Sequence, residues 1–505
     1  MEDKSIIIIG AGFTGLSAGI YAQMNGYRTQ IFEMHSLPGG LCTAWKRKGY
    51  TIDGCIHWLV GSSPQSAIYP FWEEVGIVQG REFVNLDEYM RVEGPDGRTL
   101  ILYTDVNRLE KHLLEFSPQD ADPIGEFIRG IRLGLKFDQQ PSPSDPPLKR
   151  LQKGLKLGLT MARQGKDMQK WMQLSAGEFA DRFKDPLLRQ AMRDALWFPE
   201  FSVLFMFFTL AYMHDRNAGY PIGGSLPMSL TLAKRYQALG GVIHYDSRVE
   251  KILVEGNAAV GVLLADGSEH RAGRVISAAD GHTTIFKMLE GKYADEKTRE
   301  PYEKWPIFQP LIYVGVGVNR SFADEPKTIS GLSFPLRQPV EIGDAVRERL
   351  MVHAFNQDPT LAPAGKTSLV IILPSKYEYW QELGRDRAAY DEKRDQIART
   401  VVELLEQRYP GIAGQVEMVD VATPLTFEHY TGNWQGSFEG WLITPQNSHT
   451  LMRPLPTTLP GLQNFHMCGQ WNQPGGGLPT GVMAGRRLMQ ALCKEDGRKF
   501  RTSKA

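Results

Sequence analysis

The sequence predicts an α/β protein. A parallel-stranded domain is assembled from the start, middle and end of the chain, and a second lobe of mixed sheet and helix is inserted between those pieces. Three observations lead there. A β-branched run at Ser5–Ile9 ends in a glycine-rich turn and a helix-forming stretch. A middle block from Gly219 to Asp280 passes from a helix pattern into a strand meander and closes on "RVISAAD". A second glycine-rich turn, "GQWNQPGGGLPTGVMAGRRL", opens another helix from Gly469 onward. At 505 residues the chain exceeds what one ordinary core serves, which also argues for two or more lobes.

Ser5–Ile9 reads as a buried parallel strand, apolar along its whole length. It runs into Gly10-Ala11-Gly12-Phe13-Thr14-Gly15, then an Ala- and Leu-rich helix, then a second strand ending at Glu33. This is the β-α-β context of a Rossmann-type dinucleotide fingerprint. Gly10 permits the tight turn, Gly12 lets backbone approach a pyrophosphate at the helix N-terminus, and Gly15 allows close helix–strand packing. Glu33, 18 positions beyond Gly15, can accept hydrogen bonds from a ribose diol, and its charge disfavours a 2′-phosphate. FAD or NAD therefore fits better than NADP.

The next stretch, "MHSLPGGLCTAWKRKGYTIDGCIHW", favours FAD. Gly39-Gly40 places a second bare turn near the first, Pro38 fixes its entry, and Asp53-Gly54 turns again. An NAD dehydrogenase would run into further βα units here, whereas turns and short strands suit a longer cofactor. In the middle block we expect a helix over about 225–239 and turns at Glu255-Gly256 and Asp266-Gly267. The FAD domain is thus expected to comprise 1–61, 219–299 and 446–505, and the substrate lobe 62–218 and 300–445. The helical part of the lobe is placed at about 105–218, and one long helix at 390–409. Gly315-Val316-Gly317 lacks a third glycine and a helix, so it reads as a strand, leaving one dinucleotide site.

Lys plus Arg equals Asp plus Glu at 57 each, which gives no support to a nucleic-acid partner. Cys42, Cys55, Cys468 and Cys493 are scattered without a C-x-x-C, as reduced thiols of a cytoplasmic protein would be, and no metal site is expected. No apolar run makes a secretory signal or a clean membrane span, since Pro199 and Glu200 interrupt the best one, at 195–213. Phe201, Phe205, Phe207 and Phe208 of that run read as core or as tunnel lining. From Leu148, the residues Leu151, Leu155, Leu159 and Ala162 share a helical face, with Lys149, Arg150, Lys153, Lys156, Arg163, Lys166 and Lys170 around it. Segment 148–174 is either a helix packed on the lobe or a peripheral contact with an anionic membrane.

Several stretches together resemble the phytoene desaturase family of FAD-dependent enzymes, which also holds carotenoid isomerases and retinol-saturase-like proteins. They are "IIIIGAGFTGLSAG", "PGGLCTAWKRKGYTIDGCIHW", "YPIGGSLPMSL", "NQDPTLAPAGKTSL", "ATPLTFEHYTGNWQGSFEG" and "NFHMCGQWNQPGGGLPTGVMAGR". The resemblance implies a two-dinucleotide-binding-domain flavoprotein. Its flavin would exchange hydride with a hydrophobic small-molecule substrate, a polyene or isoprenoid, and be served by an electron donor or acceptor unless the chemistry is redox-neutral. The expected FAD contacts are Gly10, Gly12, Phe13, Thr14, Gly15, Glu33, Met34, Gly39, Gly40, Leu41, Ile56, His57, Val249, Gly469, Gly477, Leu478 and Thr480. Leu41 stands where most members carry Arg or a small residue. The resemblance also gives Val249 to the adenine, Gly469 to the pyrophosphate, and the helix opening near Leu478 or Thr480 to the flavin's pyrimidine edge. There its positive end would stabilise charge on the reduced ring.

For proton transfer the candidates are His57, after the Asp-Gly turn, and Glu200, whose apolar neighbours would favour its neutral form. Tyr220, Gln470 and Trp471 are weaker candidates. A turn-stabilising His57 and a helix-start Glu200 are the alternatives. Two rival functions stay open: an amine-oxidase-like flavoprotein, and a non-catalytic flavin-binding carrier.

Overall fold

The computed structural model describes residues 4–138, 145–195, 198–451 and 453–505. Five parallel strands form one sheet in the order Val242–His244, Arg28–Phe32, Ser5–Ile9, Arg274–Ser277 and Phe465–Met467. Ser5–Ile9 is central, and Ile6 to Ile9 are buried, as a strand covered on both faces requires. The helices Phe13–Met24 and Leu478–Glu495 pack side by side on this sheet. Small residues allow the close approach: a Cβ on Gly485 would stand 2.7 Å from Ala18 N, and Ser17 Oγ donates to Val482 O at 2.9 Å. The middle block forms the helix Ser225–Ala238 and the antiparallel meander Val249–Glu255, Ala258–Leu264 and Glu269–Arg271.

A seven-stranded mixed sheet makes the second layer system. Its order is Val416–Ala422, Leu311–Val318, Thr367–Pro374, Ala345–Ala354, Thr328–Ile342, Glu88–Glu93 and Thr99–Tyr103. Leu311–Val318, buried throughout, holds Gly315 and Gly317 in extended backbone, as expected of a strand. The long helix is Arg387–Arg408, three residues earlier at its start than the sequence suggested. Ahead of the helical part placed at about 105–218, Glu88–Glu93 and Thr99–Tyr103 add two strands to this sheet.

Phe201, Phe205, Phe207 and Phe208 of the aromatic run pack in the interior and line neither cavity described below, whereas Phe198, earlier in the run, lines the smaller one. Phe207 is fully buried against Phe127, Trp171 and Phe179, and Phe201 stacks on Phe205 with centroids 4.3 Å apart. Leu196 and Trp197 of that run lie outside the described residues, as do 139–144 of the proline-rich stretch. The basic helix, Pro147–Met172, buries Trp171 but leaves Leu148, Leu151, Leu155 and Leu159 between 59% and 69% exposed. Among the described residues no helix is long and apolar enough to cross a membrane.

Candidate functional site

One cavity of about 700 Å³ lies at the carboxyl ends of the parallel strands. Its first wall is the N-terminal turn. Gly10, at φ +94°, donates its N–H to Phe32 O at 2.8 Å. A Cβ on Gly15 would stand 2.0 Å from Gly10 O, so only glycine lets the helix sit this close to the strand. A Cβ on Gly12 would meet nothing nearer than Gly39 O at 4.0 Å, leaving open space beside the backbone. The helix Phe13–Met24 starts at Gly12 with no side chain capping it. Glu33 is buried and builds the loop itself. Its Oε2 accepts Ala11 N–H at 2.7 Å and its Oε1 accepts His35 N–H at 2.9 Å. Burial pushes its carboxyl upward while these N–H groups pull it back.

The second wall is the C-terminal turn. Gly475, Gly476 and Gly477 all take positive φ, at 105°, 60° and 79°, and lead into the helix Leu478–Glu495, whose cap Gly477 has no side-chain bond of its own. Gly469 lies against Thr14. Two helix N-termini, neither capped by its own side chain, thus line one cavity with their positive ends. Bare backbone at Gly12, two helix starts and a buried acid suit an elongated ligand carrying a pyrophosphate and a ribose, and so fit FAD.

Gly10, Gly12, Phe13, Thr14, Glu33, Met34, Gly39, Gly40, Leu41, Ile56, His57, Val249, Gly469, Gly477, Leu478 and Thr480 all line this cavity. Gly15 stands behind it, against Gly10 and Ala278. Glu200 is a correction. It sits in an exposed turn before the helix Val203–His214 and lines neither cavity, because an unpartnered carboxylate stays in water even among apolar sequence neighbours. Tyr220 is buried and donates to Asp358 Oδ2 at 2.9 Å. The side chains of Gln470 and Trp471 each donate to Asn433 Oδ1 at 3.2 Å.

Glu439 is one titratable group of this cavity that sequence reasoning missed, and Asp280 is another. Glu439 Oε1 accepts Gly477 N–H at 3.1 Å at the start of the C-terminal helix. Burial pushes its carboxyl up to about 7. The stretch "NWQGSFEG" drew notice only through the family resemblance, and the approach of Glu439 to Gly476 and Gly477 is a long-range contact no local pattern announces.

His57 lines the large cavity and also a second one of about 300 Å³, over the seven-stranded sheet. Burial lowers its imidazole to about 4, so it is neutral at physiological pH. His353 lies edge-on to it with centroids 4.9 Å apart and is pushed well below the usual range by burial, with the neighbouring His57 adding to the effect. The Ile329 carbonyl faces both rings, but only His57 Nδ1 meets it in hydrogen-bond geometry, at 3.4 Å.

Residues 13–492 match the family model described as flavin containing amine oxidoreductase. The chain is 25% identical to a phytoene desaturase (lycopene-forming) of Pseudescherichia vulneris, over 98% of this chain and 99% of that one. It is 24% identical to the chloroplastic prolycopene isomerase of Daucus carota, over 97% of this chain and 81% of that one. Among solved structures, cyclohexylamine oxidase of Brevibacterium oxydans superposes with a TM-score of 0.60 at 15% identity, covering 98% of this chain and all of that one. An oxidoreductase of Methanosarcina mazei does so with a TM-score of 0.58 at 18% identity, covering 96% and 100%.

Proposed function

Because the chain belongs to the flavin-containing amine oxidoreductase family and is an FAD-dependent enzyme, we propose that it acts on C–C or C=C bonds of a hydrophobic substrate of polyene or isoprenoid type. Desaturation, saturation and cis–trans isomerisation are the reactions meant. The observation that carries this reading is the pair of cavities meeting at His57. The smaller one has a mostly apolar wall that includes Phe198, Leu311, Val370 and Ile372. A desaturase and an isomerase among the relatives support it.

FAD, when bound, supplies hydride exchange with carbon. The chain's residues do the rest. Gly10, Gly12 and the two helix starts would hold the anionic parts of the cofactor, and the positive helix end at Leu478 would favour negative charge on a reduced flavin. Glu439, poised near neutrality, takes or gives the proton at the carbon next to the one exchanging hydride. His57, held neutral, shapes the passage between the cavities. Oxidation of an amine is disfavoured. An ammonium group in the smaller cavity would face Arg193 and Arg347, and the carboxylate there, Asp194, is already engaged by Ser333 and Gln190.

The test uses oxidised and dithionite-reduced holoprotein under anaerobic conditions with a panel of isoprenoid alkenes. Flavin bleaching by a substrate, re-oxidation by an alkene, or isomerised product without net flavin change is expected. Silence toward every alkene, with bleaching and peroxide formation from amines, would overturn the proposal.

The same reading lays the basic helix Pro147–Met172 on an anionic lipid surface that holds the lipophilic substrate. Four exposed leucines on one face, bordered by lysines, suit that interface. The double change Leu151→Glu with Leu155→Glu is expected to abolish co-flotation with phosphatidylglycerol vesicles and leave FAD content intact. Equal flotation of variant and wild type would sink this contact.

A further inference from the structure

The smaller cavity carries a chemical bias beyond its apolar lining. Arg347, Met351 and His353 alternate along the strand Ala345–Ala354 and so project from the same sheet face into it. The Arg347 guanidinium donates to the Pro374 carbonyl through Nη2, while its buried Nε has no partner. His353 is 3% exposed, and neither ring nitrogen has a partner. As a neutral imidazole it offers one N–H and one acceptor.

The other charged groups at the cavity are already engaged. Asp194 accepts Ser333 Oγ–H at 2.8 Å and Gln190 Nε2–H at 2.7 Å, with Arg349 at 3.7 Å. Arg193 pairs with Asp181 at 2.5 Å. What is left over is a buried guanidinium edge, which favours a ligand that accepts hydrogen bonds and carries negative charge, and farther along the strand a neutral imidazole that favours neither sign. One open guanidinium edge matches the single charge of a carboxylate. A diphosphate would bring more charge than this cavity offsets.

We infer that the substrate is an amphipathic acid, its carboxylate held at Arg347 Nε and its apolar chain reaching past His353 and His57 into the flavin cavity. The inference rests on the proposed action on isoprenoid-type substrates and narrows it. A purely hydrocarbon substrate would leave these buried polar groups without partners, and selection between acid and hydrocarbon follows from that difference.

The test titrates wild-type holoprotein at pH 8 with geranylgeranoic acid, its methyl ester, geranylgeraniol and geranylgeranyl diphosphate, reading the perturbation of flavin absorbance. The acid is expected to bind about 10- to 100-fold tighter than the alcohol or ester, the range for one charge-assisted pair. Arg347→Gln is expected to bring that ratio within about threefold. Its FAD content and melting temperature are checked alongside, and if the variant does not fold, the wild-type ratios decide alone. Equal binding of acid, ester and alcohol, or a ratio that survives Arg347→Gln, overturns the carboxylate site and leaves the lipophilic reading standing. A diphosphate that outranks the acid also overturns it. Absence of any response to all four compounds overturns both.

Discussion

Replacing Glu439 with glutamine is expected to lower turnover by about two to four orders of magnitude, the usual weight of a positioned acid or base, while FAD stays bound. Gln keeps an oxygen for the Gly477 N–H, so the start of the C-terminal helix is preserved. The wild-type rate should inflect near pH 7, where Glu439 titrates, and the variant should lack that inflection. Stability moves the other way. A carboxyl raised from 4.5 to about 7 binds its proton more tightly in the folded state. The ionised side chain therefore lowers stability as pH rises from 4.5 through 7, and the penalty persists above. Above pH 7 the variant should be more stable by about 3 kcal/mol, and below pH 4.5 the difference should vanish. Melting curves at pH 4.5 and 8 check the sign. A variant with wild-type turnover would remove Glu439 from the chemistry.

Asp53→Ala should have the largest structural effect. Asp53 is 1% exposed. Its Oδ1 accepts Cys55 N–H and Ile56 N–H at 3.0 Å and Ser225 Oγ–H at 2.6 Å, and its Oδ2 accepts Ser225 N–H at 2.6 Å. Gly224, the cap of the helix Ser225–Ala238, has no side chain, so Asp53 caps that helix from far away in sequence. Alanine would strand several buried donors, each costing about 1–3 kcal/mol. Ile56 N–H keeps Ser225 Oγ as an acceptor, so three donors are stranded and the sum, about 3–9 kcal/mol, is a large share of the roughly 5–15 kcal/mol of a typical folded domain. Loss of FAD and a drop in melting temperature of many degrees are expected. An unchanged melting temperature would show that the Asp53 network contributes little.

What the sequence showed plainly was what short-range backbone chemistry decides. The strand Ser5–Ile9, the turn at Gly10 and the C-terminal helix from Leu478 depend on β-branched residues and on glycines forced to positive φ, all local properties. The return strand Arg274–Ser277 was legible for the same reason. Glu88–Glu93 and Thr99–Tyr103 were not, because charged residues interrupt the first, and its pairing with Thr328–Ile342 spans a long stretch of sequence. Glu200 and Glu439 make the same point at the site. Hydrophobic sequence neighbours suggested burial for Glu200, yet a turn holds it in solvent. Glu439 lies in an unremarkable polar stretch and is enclosed by segments distant in the chain.

The strand Phe465–Met467 at one edge of the parallel sheet, and the helix Leu478–Glu495 that follows it, fix when this protein can be made functional. During synthesis the first turn emerges early, but its partner wall and the strand beside Arg274–Ser277 are translated hundreds of residues later. A nascent chain stalled before residue 460 therefore presents half a cofactor cradle and an open, apolar sheet edge to chaperones and proteases. Flavin capture is accordingly a late event, and FAD that binds only the completed chain would stabilise that form by mass action.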